Sequence, residues 1–461
     1  MKKLISLIMC VVLLVSCFTA CSPQGTIDKE TTEPETRGAA KSEKKDDDDT
    51  ITITIVCPEM PVSDKNDLRD MYRLLHDDYN VELKFEYLVD DSNNGYAEYK
   101  SMLTRIRAEV MAGEGPDVFI LPTWDVRRYY DDNFNLLERQ EPLFPDVEDA
   151  MRNRIFLELD DYLAKSDIIN MNDHRSSIMD AGKVDGRQMV MPLLFDFEMQ
   201  LLDGNQLENP DFTYTDFESY VSAADSLVHG TMGDGFNWFH HVLAEYIDYD
   251  NEKLNITPDE LAHNLEQSWN ILKKKADSGA PYEDENFYYA TFDDYFFYAW
   301  KNSEGQAVPV YIPNVEGGIT AMVNMYAAIN ANTEYPEEAF KVLELLFSEN
   351  LQTGSGFYSE ERGHKMFGGW RPNMMFGVAN SYNMVTSKKT YTDPYFHNTE
   401  EIEELLSKIN CVRFTSELDC MLCDAVDSFE YIYYGPDRDK GPDFDAIAEA
   451  LIKDMEMRLA E

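Results

Sequence analysis

Between residues 50 and 121 the hydrophobic period of the chain switches repeatedly between that of a strand and that of a helix. "TITITIVCP" (50 to 58) alternates, is rich in β-branched residues and ends at a proline, which predicts a strand. Leu68, Met71, Leu74 and Leu75 then fall at helical spacing and predict a helix over 67 to 79. "VELKFEYL" (81 to 88) reads as a second strand, and Tyr99, Leu103, Ile106 and Val110 form one apolar stripe of a second helix. Gly113 fits the position after that helix, where left-handed dihedrals exclude most side chains. Gly115 and Pro116 supply a sharp turn into "DVFIL", a continuously apolar strand of the kind buried on both faces. Strand, helix, strand, helix, strand predicts a parallel sheet covered by helices. Ligands of open parallel sheets sit beyond the carboxyl ends of the strands, so Trp124 and Asp125, just past "DVFIL", stand where a ligand is expected.

The amino terminus bounds the rest. Lys2 and Lys3 precede an apolar run and then small residues and cysteines, the pattern of an export signal. Cys21 is the expected lipidated residue, because a polar sequence starts only after it; Cys17 is the alternative. Residues 22 to 50 hold one large aliphatic residue, Ile27, and no aromatic, and cannot offset the entropy of ordering them; a flexible tether is expected there. The chain carries 87 acidic against 40 basic residues, a net charge of -47, which argues against nucleic acid or an anionic membrane surface as partner. Its 461 residues suffice for two or three domains.

Several segments, in order, resemble the extracellular solute-binding proteins of family 1, the sugar-binding receptors of ABC importers. They are "AGEGPDVFIL" (112 to 121), "LELDDYLAKSD" (157 to 167), "GKVDGRQMVMPLLFDFEMQLLDGN" (182 to 205), "TYTDFESYVSAADSL" (213 to 227), "GGITAMVNMYAAINANTEYPEEAFKVLELLFSENLQ" (317 to 352) and "GGWRPN" (368 to 373). Residues 125 to 156 are longer and more acidic than that pattern, and residues 376 to 461 match only as generic helices. The resemblance implies an α/β, two-lobe periplasmic-binding-protein-like fold, each lobe a mainly parallel sheet flanked by helices, with the ligand cleft at the hinge. On it, residues 1 to 21 are the signal peptide, 22 to 50 the tether, 51 to 195 with 318 to 350 lobe 1, and 196 to 317 with 351 to 461 lobe 2.

A carbohydrate cleft needs aromatic platforms flanked by carboxylates and amides. Glu59, just after the first strand, joins Trp124 and Asp125 as candidates on lobe 1. For Trp124, ligand contact and core packing both stand. Phe195, Asp196 and Glu198 lie where the first interlobe crossing is expected, and carboxylates in an apolar strand are costly unless they face a cleft. Trp238 follows a glycine-rich turn, with Phe239 beside it, for which core filling is favoured. Trp300 ends an aromatic-rich segment that is mostly core; Trp370 and Arg371 sit in a late loop, where an arginine can hydrogen-bond hydroxyls or a carboxylate.

"YIDYDNEKLNITPDEL" (246 to 261) superficially suggests a calcium loop, but Lys253 holds its glycine position and Asp259 its bidentate glutamate position. A hairpin turn followed by a helix capped by Thr257, with Pro258 next and Glu260 three residues after the cap, fits better. Cys420 and Cys423, in a helical context, read as buried thiols, with a disulfide as the alternative. No catalytic triad, phosphate loop or zinc motif is seen, and neither cofactor nor metal is expected. The resulting expectation is a monomeric, lipid-anchored receptor on the outer face of the cell membrane that captures a mono- or oligosaccharide and hands it to the subunits of an ABC permease. The alternatives are a secreted carbohydrate-cleaving enzyme and a receptor that presents its ligand to a sensor.

Overall fold

The structure is a computed structural model, and it describes residues 50–60, 62–88, 96–126, 139–203, 214–224, 239–249, 251–277, 288–291, 307–353, 357–359, 364–366, 384–385, 388, 399–434 and 440–460. The strands used below are β1 (Ile51–Pro58), β2 (Val81–Leu88), β3 (Val118–Pro122), β4 (Val190–Asp196), β5 (Glu198–Asp203), β6 (Tyr288–Thr291), β7 (Ala307–Tyr311), β8 (Ile319–Ile329), β9 (Met384–Val385) and β10 (Ile409–Phe414). The helices used below are α1 (Val62–His76), α2 (Tyr96–Met111), α3 (Val147–Arg152), α4 (Phe217–Ala224), α5 (Phe239–Val242), α6 (Pro258–Asp277), α7 (Pro336–Leu346), α8 (Thr399–Leu406), α9 (Glu417–Tyr434) and α10 (Phe444–Leu459).

The alternating start of the chain folds as its periods require. β1 pairs in parallel with both β2 and β3, and α1 and α2 make the crossovers. α1 begins earlier than the apolar spacing indicated and stops at His76, because Asp77 takes a left-handed conformation with φ 49°. Gly113 has φ +80° after α2, as a helix-ending glycine should. The turn that follows is tied by side chains. Asn330 donates to the carbonyls of Glu114 (2.9 Å) and Pro116 (3.0 Å), while Asp117 accepts from the Thr54 amide (2.8 Å) and the Thr333 hydroxyl (2.5 Å).

β8 carries the sheet across its middle, in the order β9-β4-β8-β3-β1-β2 with β10 also on β8. It runs antiparallel to β3 and β4 and parallel to β10. Its register shifts between Val323 and Met325, so that Asn324 is a bulge. The bulge switches which face the odd residues occupy. Ile319, Ala321 and Val323 pack with Tyr326 and Ala328 on one face, whereas Met325, Ala327 and Ile329 pack on the other.

Each face of this sheet has its own core, one with α2, α3 and Phe414, the other with α1 and α7. A third core unites α4, α5, α6, α9 and α10 around Phe217, Leu265 and Phe429. The described strands beside it, β6-β5-β7, pair antiparallel rather than parallel: β5 follows β4 with only Phe197 between, and both its neighbours run against it. Thr257 and Glu260 form the expected capping box, with the Thr257 amide and hydroxyl donating to the Glu260 carboxylate at 2.8 and 2.7 Å. The hairpin before it pairs Ile247–Asp248 with Lys253–Leu254.

Candidate functional site

Strand direction decides which candidate residues meet. β1 and β3 are parallel, and β8 opposes both β3 and β4, so the carboxyl ends of β1, β3 and β4 share one edge of the sheet. Glu59 follows β1, Trp124 and Asp125 follow β3, and Asp196 ends β4. All four therefore lie along that edge, where adjacent strands are spaced by about 4.8 Å. Glu59 is exposed; Trp124, Asp125 and Asp196 are half-buried. Phe195 is corrected: it is 0% exposed, opposite Val323 and Met384 and inside the core, where it packs rather than meets solvent or solute. Phe239 is likewise fully buried, in the helical core. Trp238, Trp300, Trp370, Arg371, Cys17 and Cys21 lie outside the described residues.

The β8 bulge builds the floor of this edge. β3 and β10 approach each other head-on along the same flank of β8, and their ends meet at Asn324. There the Thr123 amide donates to the Asn324 carbonyl (3.0 Å), the Thr123 hydroxyl donates to the Val323 carbonyl (3.0 Å), and the Thr415 hydroxyl donates to the Asn324 side chain (3.4 Å). The Trp124 amide reaches the Thr415 carbonyl at 3.4 Å. The indole N–H of Trp124 donates to Pro145 O at 2.9 Å, and its ring rests against Val126, Cys420 and Cys423. The ring thus has a fixed place at the edge of the sheet.

α9 leaves this junction from a capping box made by Ser416 and Asp419, whose side chains exchange hydrogen bonds with each other's amides at 3.4 and 2.8 Å. Asp419, 0% exposed, also accepts from Arg413 (2.9 Å) and the Tyr246 hydroxyl (3.0 Å), and Arg413 donates onward to His240 O (2.8 Å). The charge pair is buried and held through both terminal nitrogens of Arg413, with its Nε among the buried atoms that lack a partner. His241 places Nδ1 2.9 Å from Thr320 O, and burial holds its pKa down at about 4, so it is neutral and donates through Nδ1. On the sheet side, burial pushes Asp146 up to about 6, and burial followed by repulsion from Asp146 raises Glu148, whose carboxylate lies 3.5 Å from the Phe414 amide. The four cysteines Cys57, Cys411, Cys420 and Cys423 are buried free thiols. Among the described residues no cluster of three His, Cys, Asp or Glu side chains could hold a metal ion.

Thr123, Asn324 and Thr415 form the floor of this edge, and no periodic pattern in the sequence marks any of them. Only a lone asparagine in "ITAMVNMYAAI" hinted at the bulge. Carboxylates, amides and hydroxyls beside an indole ring, at strand ends between a sheet body and a helical body, suit a polyhydroxylated solute.

A mixed α/β architecture with a central sheet and flanking helices is that of the periplasmic binding proteins. The solved structure of an extracellular solute-binding protein of family 1 from Alicyclobacillus acidocaldarius is similar to this chain with a TM-score of 0.55 at 13% identity, covering 89% of this chain and 99% of that one. The sugar-binding protein MalE of Xanthomonas citri aligns with a TM-score of 0.56 at 14% identity over 89% and 97% of the two chains. An ABC substrate-binding protein of Listeria monocytogenes in complex with cycloalternan gives 0.51 at 12% identity over 89% and 99%. No protein-family model matches the chain, and no curated protein matches it. The fold is thus that of the extracellular solute-binding proteins.

Proposed function

We propose that the protein is an extracytoplasmic receptor that captures a mono- or oligosaccharide between its lobes and delivers it to an ABC permease, held at the outer face of the membrane by a lipid on Cys21, or on Cys17. The observation that supports this reading most is the placement of Glu59, Trp124, Asp125 and Asp196 along one edge of the central sheet. An indole face suits the C–H surface of a sugar ring, and carboxylates accept from its hydroxyls. Similar structures include a sugar-binding MalE and a cycloalternan complex. Binding works by bias: contacts to both lobes favour the closed state by their differential affinity, and the permease reads the closed shape.

A thermal-shift screen of the purified protein against mono- and oligosaccharides tests the ligand class, because a ligand of the folded state raises the midpoint by mass action. At least one sugar should raise it, and Trp124→Ala and Asp196→Asn should each reduce the shift. A panel in which only peptides or metal ions raise the midpoint overturns the carbohydrate reading. Cleavage of an oligosaccharide, abolished by one carboxylate substitution, establishes the enzyme alternative instead.

A further inference from the structure

The turn after β3 belongs to the sheet body, yet it is fastened to a helix of the other body. Trp124 and Val126 pack on Cys420 and Cys423 of α9, and the Cys420 thiol lies 3.7 Å from Asp125 O. Arg139 completes the fastening. Its guanidinium donates to Val126 O at 2.6 Å and to both carboxylate oxygens of Asp424, at 2.5 and 2.9 Å. One side chain thereby holds Val126 and grips α9 two turns into the helix. The geometry is bidentate, the strongest form of such a pair, and the Arg139 side chain is only 16% exposed, which limits screening by solvent.

We propose that Arg139 and Asp424 form an interlobe latch that clamps the Trp124–Val126 turn over the Cys420 and Cys423 thiols of α9. The two thiols then report the latch. With the turn in place, Cys420 is 3% and Cys423 0% exposed, and burial raises the pKa of both above the ordinary thiol value. When the bodies part along this seam, the cover lifts and Cys420 gains access and thiolate character together. The latch is a property of the protein without solute, so it stands or falls independently of which ligand the cleft takes.

The experiment is alkylation of the solute-free protein, with each cysteine followed by peptide mass spectrometry. Cys57, in β1 and 0% exposed in the sheet core, monitors general unfolding. Asp424→Lys should speed Cys420 alkylation at least about tenfold, the scale of losing a hydrogen bond to a charged group. Asp424→Glu, which keeps the charge, should stay within about threefold of the parent, and Cys57 should not change in either. A Cys420 rate unchanged in Asp424→Lys, or a rise matched by Cys57, overturns the latch. Arg139→Gln, read in the same way, supplies the test if Asp424→Lys does not fold.

Discussion

The two ends of β3 are both pinned by polar side chains, but by different kinds. At its start, Asn330 and Asp117 tie the Glu114–Asp117 turn to β1, to β8 and to the segment before α7, all within the sheet body. At its finish, the chain is held at the Asn324 bulge and through Arg139 to α9, beside the buried Arg413–Asp419 pair and His241 of the helical body. The first end rests on the Asn330 amide and the Asp117 carboxylate, both inside one body. The second depends on two ion pairs and a buried neutral histidine that link the sheet to the helical core, so the end that carries the candidate site is the one held chiefly by paired charges and by a histidine with a lowered pKa.

The largest effect expected from this contrast is the unequal cost of cutting the two ends. Asp419→Ala leaves Arg413 as an unpaired buried cation and strips the cap of α9, which should cost about 3–5 kcal/mol in unfolding free energy. Asn330→Ala strands the Glu114 and Pro116 carbonyls without burying a charge and should cost about 2 kcal/mol. Denaturant unfolding measures both; an Asn330→Ala loss equal to or above that of Asp419→Ala would erase the distinction.

Next in size is a pH effect confined to the second end. His241 is neutral when folded, with its pKa at about 4, and unfolding returns it to the ordinary value near 6.5. A lowered histidine pKa means that the unfolded state binds the proton more readily. Its contribution is complete above pH 6.5 and is lost as pH falls toward about 4, by up to about 3 kcal/mol. The His241→Gln variant, whose amide can still reach Thr320 O, should lose less stability than the parent between pH 7 and pH 4.5. Asn330→Ala should keep the parental slope. Parallel profiles for the parent and His241→Gln would remove the histidine from the comparison.

What could be read in advance follows the same division. The first end was legible because local rules make it: helix period, a left-handed Gly113, a Gly-Pro turn and an apolar strand succeed one another within one short stretch. The Thr257–Glu260 box was legible for the same reason, both partners lying three residues apart. The second end was legible only as a place. Strand direction put Trp124 and Asp125 at a ligand edge, but the side chains that fix them come from afar, Asp424 lying 285 positions from Arg139. Phe195 shows the converse: its place in the expected crossing suggests a site residue, whereas pairing with Val323 and Met384 turns its ring into the core. Asn324 escaped notice because a single bulge residue has no period to betray it.

The smallest effect separates the two attachments of Trp124. Its indole N–H bonds Pro145 O within the sheet body, whereas its ring and the following residues are pressed onto α9 through the Arg139–Asp424 pair. Trp124→Phe deletes the first attachment and keeps a ring for the second, so it should lower stability by about 1 kcal/mol, the net worth of one neutral hydrogen bond. Because the latch is untouched, Cys420 alkylation should stay within about twofold of the parent. If Trp124→Phe instead exposes Cys420 as strongly as Asp424→Lys does, the indole bond rather than the arginine holds the turn, and the second end of β3 is fastened from its own body like the first.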